Sequence, residues 1–351
     1  MIDASTICLM LLLSFASAEP APGPGVDPNQ VPPNEYKLDP KAGWQQTAAP
    51  APGSDEEVIA NARKALAEDR PSDAYAIINP WLELKERSNS PLLAQAYLIR
   101  ADSNSLNGDE FEALYDYEVI AKQYAGTPEY VIAIERELEI AFRYVNGLKR
   151  KWFGVRFISA DDLGVELLVR TQERLPGSRL AERAGIELAD YYYRIRDMEL
   201  AAEAYQLFLE NFPQSAYRMK AMQRKIYASL ARFKGPRYDA APLLDAQVNI
   251  RRFMGLYPAQ SQQAGVDESL LTRIDESAAQ QLLETARWYI RRDDPVSARY
   301  VLKQLIAKHP LTGAASEGAR VLQERGWAAA SSPASPEPAA QTAPPAKEPG
   351  Q

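Results

Sequence analysis

The chain has 351 residues, a net charge of −7, one cysteine and one histidine. An acidic balance with no long Arg/Lys stripe argues against a nucleic-acid surface, which needs a basic one. One Cys and one His leave no set of His/Cys zinc ligands, and the abundance of Ala, Leu, Glu and Tyr with few long β-branched runs predicts an all-helical protein.

At the N-terminus, Ile7 to Phe15 is apolar but too short to span a bilayer, and Ala16-Ser17-Ala18 supplies a small-x-small cleavage pattern. An export signal cleaved after Ala18 is the expectation. The first residues carry Asp3 and no Lys or Arg, a departure that points to initiation further upstream. Cys8 leaves with the signal, so the mature chain has neither disulfide nor thiolate chemistry. Glu19 to Gly53 is rich in Pro, Ala and Gly and reads as a disordered linker. Tyr36, Leu38 and Trp44 within it are either spacer residues or groups that dock on a partner or fold back.

From Ser54 a helical period sets in. It is clearest between Arg183 and Pro213, where Gly185, Leu188, Ala189 and Tyr192 share one helix face. Asp197 caps a second helix carrying Ala201, Tyr205 and Phe208, and Pro213 ends it. This is the pattern of a tetratricopeptide unit, a helix hairpin of ~34 residues that cannot bury its own apolar faces and therefore stacks on neighbours.

The same register runs along the chain. A first pair holds Val58, Ala62, Ala74, Ile78 and Trp81, with a turn at Arg70-Pro71 and a kink or early stop at Pro80. A second starts at Ser90-Pro91 and carries Tyr97, Ala101, Ala113, Tyr117 and Ile120, with Gly108 closing one helix and Asp109 with Glu112 forming a capping box. The third starts at Thr127-Pro128 and holds Ile140, Ala141 and Tyr144; an insertion, Gly147 to Ile158, separates it from a helix running from Ser159 to Pro176. A fifth pair spans Ser215 to Pro258 around the inserted turn Lys234 to Asp239, and a sixth carries Leu282, Ala286, Tyr289, Ala298, Leu302 and Leu305. Thr312 to Arg325 reads as a closing helix, and the Ala/Pro/Ser-rich residues 327–351 as a disordered tail. The expected fold is a right-handed superhelical stack of five to six helix hairpins, an α-solenoid, over residues 54–326.

Catalytic chemistry is not legible. His309 stands at a helix end before Pro310, where it suits the terminal carbonyls and the helix dipole. Paired acids such as Asp161-Asp162 and Asp293-Asp294 sit at helix starts, and no Gly-rich phosphate loop occurs. The chain is expected to be non-enzymatic, with no cofactor, metal or small-molecule substrate. Binding surfaces are the alternative. One is the insertion, where Arg150, Trp152 and Phe157 either contact anionic lipid or a protein, or simply pack on the stack. The other is the groove lined by the first helices. The register points Leu98 and Asp102 into it from the second repeat, and Leu138 and Phe142 from the third. From the fourth it points Ile186, Asp190, Tyr193 and Arg194. These suit an extended peptide, or else contact the adjacent repeat.

The export signal, the Pro-rich linker and the repeats together resemble the BamD (YfiO) family of outer-membrane assembly lipoproteins. The resemblance is carried by RLPGSRLAERAGIELADYYYRIRDMELAAEAYQLFLENFPQS, GPRYDAAPLLDAQVNIRRFMGLYP and ARWYIRRDDPVSARYVLKQLIAKHP. It implies a periplasmic scaffold at the outer membrane. Its N-terminal repeats would hold the targeting segment of unfolded barrel proteins near Leu98, Asp102, Leu138 and Phe142. Its last repeats would dock the barrel assembly factor around Arg287, Ile290 and Arg291. The family's lipidated cysteine has no counterpart after Ala18, so a lipid anchor is not expected. That departure leaves open a soluble Tol-Pal-associated repeat protein coordinating wall synthesis or outer-membrane constriction.

Overall fold

The computed structural model describes residues 36–39, 43–46 and 50–327, which divide between two compact units, 1–107 and 108–351. The expected signal sequence, Cys8 and most of the tail lie outside the described residues.

In the first unit, β1 (Tyr36–Asp39) and β2 (Gly43–Gln46) pair antiparallel, with Leu38 opposite Trp44. Part of the stretch read as linker therefore forms a hairpin. Then come α1 (Asp55–Ala67), α2 (Pro71–Lys85) and α3 (Leu93–Leu106), each packed on the next, with α1 also on α3. The start of α1 is closed reciprocally: Ser54 Oγ accepts from the Glu57 amide at 3.2 Å, and the Glu57 carboxylate accepts from the Gly53 amide at 2.6 Å. Pro80 does not shorten α2, which continues to Lys85. Trp81 and Lys85, beyond the proline, both donate to the Asp55 carboxylate, at 2.8 and 2.9 Å, and tie that end of α2 to the start of α1.

The second unit opens with α4 (Glu110–Gln123) and α5 (Pro128–Val145). The insertion is not an irregular loop but a two-stranded antiparallel hairpin, β3 (Arg150–Trp152) and β4 (Val155–Ile158). There follow α6 (Asp161–Arg174), α7 (Arg179–Arg194), α8 (Met198–Asn211), α9 (Arg218–Arg232) and α10 (Ala241–Leu256). A short α11 (Pro258–Gln263), not anticipated from the sequence, leads to the long α12 (Glu268–Arg291), and α13 (Pro295–Lys308) and α14 (Gly313–Glu324) close the unit. Successive helices pack on each other, except that α10 carries both the short α11 and α12, and the first helices of repeats also stack, α5 on α7, α7 on α9 and α12 on α14. Sequential pairing of this kind is that of an all-α solenoid.

Second-helix positions of the register are buried as expected: Ala113, Tyr117, Ile120, Ala201, Tyr205, Phe208, Ala298, Leu302 and Leu305. First-helix positions are less faithful. Ala189 and Ala286 are buried, while Leu188, Tyr192, Leu282 and Tyr289 are only half-buried. In the Tyr191–Tyr193 triplet it is Tyr191, not Tyr192, that is buried. Large side chains at those positions lie at the border of the stack, where an aromatic ring keeps one edge in water.

Two local expectations are corrected. Asp109 makes no side-chain cap on α4, because Lys151 of the hairpin donates to its carboxylate at 2.9 Å. His309 does not use its ring on helix carbonyls: it is buried, and Nδ1 faces Asp275 Oδ1 at 2.8 Å, tying the end of α13 to α12.

A buried acid lies inside the second unit. Arg174 of α6 donates to Glu137 of α5 at 2.7 Å and to Glu118 of α4 at 2.5 Å. Burial pushes the Glu137 carboxyl up to about 7, against the pull of Arg174. A raised carboxyl favours the folded state below its unfolded value near 4.5, and that contribution is lost as pH rises to about 7. Glu137→Gln is therefore expected to gain on the parent by about 3 kcal/mol between pH 4.5 and 8, in urea titrations across that range. A gain at low pH instead would reverse the sign.

Candidate functional site

On α3, Leu98 and Asp102 are both half-buried. In the second unit the expected groove residues separate into core, ties and surface. Leu138 is 0% exposed, and Ile186 is buried in a cluster with Ala221 and Ala228 of α9, so neither side chain lines an open groove. Phe142 remains half-exposed, with the Arg183 guanidinium over its ring at 5.2 Å.

Asp190 is not available to a peptide. Its buried carboxylate accepts from Tyr205 Oη at 2.5 Å, from Arg224 Nη1 at 2.6 Å and from Lys220 Nζ. Burial, and then the hydrogen bond it donates to Asp190, push the Tyr205 phenol well above its ordinary value. Arg224 also lies over the Tyr193 ring at 5.4 Å. One carboxylate thus joins α7, α8 and α9. Arg194 is a tie as well: its guanidinium donates to the Val145 carbonyl at 2.9 Å, joining the ends of α7 and α5.

The last repeats hold the better-formed concavity. The inserted turn between α9 and α10 brings Pro236 and Arg237 to α12, and with Glu284, Thr285, Trp288, Tyr289 and Arg291 they line a cleft of about 690 Å³. Trp288 is 43% exposed, its ring 4.9 Å from Tyr289 and 4.6 Å from the Arg292 guanidinium. Arg287 is not part of this surface, because Glu284 and Glu317 hold its guanidinium at 2.5 Å each. Arg291 is exposed, and neither it nor Arg237 makes an ion pair among the described residues. The cleft therefore combines a part-exposed indole, with Arg292 over its ring, and two cations, Arg237 and Arg291, that make no ion pair among the described residues, a combination suited to an apolar side chain next to a carboxylate. The sequence pointed to Arg291 and to the inserted turn separately; Trp288 and Arg237 were missed, because one is a plain helix residue and the other a loop residue until the fold joins them.

In a second cleft, of about 630 Å³ between α8, α9 and α10, the central polar groups Gln206, Glu210, Lys225, Asp245 and Asn249 are engaged with one another. Lys225 there donates to Gln206 at 2.5 Å and faces Asp245 at 3.7 Å. No group of His, Cys, Asp and Glu suited to a metal ion occurs among the described residues. Among them, too, no helix is long and apolar enough to cross a membrane.

Residues 163–329 match the YfiO family, described as outer membrane lipoprotein. That stretch contains nearly all of α6, all of α7 to α14, and the whole Trp288 cleft. The resemblance read from the sequence therefore holds over the second half of the chain. No curated protein matches. Among solved structures, the C-terminal part of a tetratricopeptide repeat-containing protein from Cytophaga hutchinsonii is 12% identical, with a TM-score of 0.37 over 76% of this chain and 88% of that one. The anaphase-promoting complex hetero-tetramer Cut9–Hcn1 is 14% identical, with a TM-score of 0.27 over 76% of this chain and 42% of that one.

Proposed function

We propose that this chain is a non-enzymatic envelope scaffold in outer-membrane β-barrel protein assembly, and that its last repeats dock the barrel assembly factor at the Trp288 cleft. The observation that carries the reading is the YfiO match over residues 163–329, which takes in every residue of the cleft. The chemistry of the cleft agrees with a protein partner. Interfaces concentrate their binding energy in aromatic and arginine anchors, and Trp288, Arg237 and Arg291 supply both kinds. The partner surface is expected to carry an acidic side chain beside an apolar one. Periplasmic location at the outer membrane is part of the same family reading.

The test is binding of the purified mature chain to the periplasmic part of the assembly factor. Trp288→Ala is expected to weaken it by about thirtyfold or more, and Arg291→Glu to lower the on-rate and invert its salt dependence. Both positions are on the surface, so the thermal midpoint should hardly move. Parental affinity in both variants would remove the cleft from the interface.

A further inference from the structure

We propose that the β3–β4 hairpin is an aromatic wedge that inserts into the headgroup region of a lipid bilayer. The hairpin has two distinct faces. On the inner one, Arg156 donates to both Glu110 oxygens, at 2.9 and 2.8 Å, and to the Gly108 carbonyl at 2.8 Å. Lys151 is held by Asp109, and Arg150 lies 4.0 Å from the centre of the Phe111 ring. Three of the cations of this segment, Arg150, Lys151 and Arg156, are thus turned back onto the start of α4, while Lys149 at its base stays exposed. The outer face is Trp152, Val155 and Phe157, which are 54, 62 and 50% exposed, with Phe153 at the turn 89% exposed. The Trp152 ring gathers Phe153 at 5.0 Å and Phe157 at 5.6 Å. No charged side chain lies between Trp152 and Val155.

Phe153 is the telling residue. It occupies the first position of a two-residue turn with φ 46°, followed by Gly154 at φ 80°, a conformation that favours Asn or Gly and is costly for a bulky side chain. The phenyl ring touches Trp152 and borders the start of α4, yet it remains nearly fully exposed and so recovers little by burial. A strained, exposed apolar residue at a tip has no account within the fold, and such strain is characteristic of functional positions. A neutral aromatic cluster on a self-paired hairpin suits the bilayer interface, where Trp and its neighbours are favoured and no counter-charge is needed. The strand side chains that alternate with this cluster, Lys151 and Arg156, are turned to Asp109 and Glu110, which leaves the outer face apolar along both strands. The inference rests on the envelope location contained in the reading above. Its test uses lipid alone, so it fails separately from docking at Trp288.

The experiment is flotation of the mature chain with zwitterionic phosphatidylcholine vesicles at millimolar lipid, together with tryptophan quenching by lipids brominated in the acyl chain. The parent is expected to float and to be quenched, with little dependence on salt or on added phosphatidylglycerol. Phe153→Asn is expected to raise the thermal midpoint, because Asn accepts this turn, and yet to weaken flotation about tenfold. Trp152→Phe should keep flotation and lose most of the quenching. Failure of the parent to bind phosphatidylcholine, or equal binding by Phe153→Asn, would overturn the proposal. Binding only to anionic vesicles and abolished by salt would overturn it too, as would a hairpin that cross-links to protein without any lipid affinity.

Discussion

Asp190→Ala is expected to lower the unfolding free energy by about 3 kcal/mol. The carboxylate is buried and accepts from Tyr205, Arg224 and Lys220 at once, so its removal leaves a fully buried phenol without its acceptor and two cations facing each other. The cations are themselves more than a third exposed, which keeps the loss below that of a fully buried ion triad. Asp190→Asn, which keeps an acceptor for Tyr205 but not the charge, should fall between the two. Urea denaturation followed by circular dichroism reads this directly. A loss below about 0.5 kcal/mol would mean that the three donors find other partners and that the carboxylate is a surface group after all.

Gly164→Val is expected to cost about 3 kcal/mol by a different route. A Cβ at Gly164 would lie 2.8 Å from Val145 Cγ1, 3.0 Å from Tyr144 Cβ and 3.1 Å from the Val145 backbone nitrogen. Two of those contacts are with atoms that cannot rotate away, so α6 must move off α5. This close approach closes the base from which β3 and β4 project, since the hairpin links the end of α5 to the start of α6. Native-state hydrogen exchange should show the loss concentrated in the last turns of α5 and the first of α6. An unchanged thermal midpoint would contradict the packing.

The repeat register was readable because it rests on local rules. Small residues such as Ala189 and Ala201 mark where helices cross closely, and Asp197 caps α8 as its side chain requires, accepting from the Leu200 amide at 3.1 Å. What the register could not resolve was the second contact of each first helix. Leu138, Ile186 and Asp190 occupy positions that face a groove if first helices only flank it, but all three are buried, Ile186 and Asp190 against α9. A carboxylate within an apolar period carries no local sign that Tyr205, Lys220 and Arg224 converge on it from two other helices. The hairpin was hidden for the same reason. Lys151 and Arg156 look available in sequence, and only the fold brings Asp109 and Glu110 to them. The Trp288 cleft likewise needs the turn before α10 to reach α12.

The central claim, docking of a barrel assembly factor on the last repeats, is tested most directly by a photo-cross-linker placed at Trp288 in the full chain and irradiated in native envelopes. Mass spectrometry of the adduct is expected to identify the barrel assembly factor, with the same probe at Val248, an exposed position on α10 outside the cleft, giving none. Adducts at Trp288 to Tol-Pal or wall-synthesis proteins, with no assembly factor among them, would contradict it.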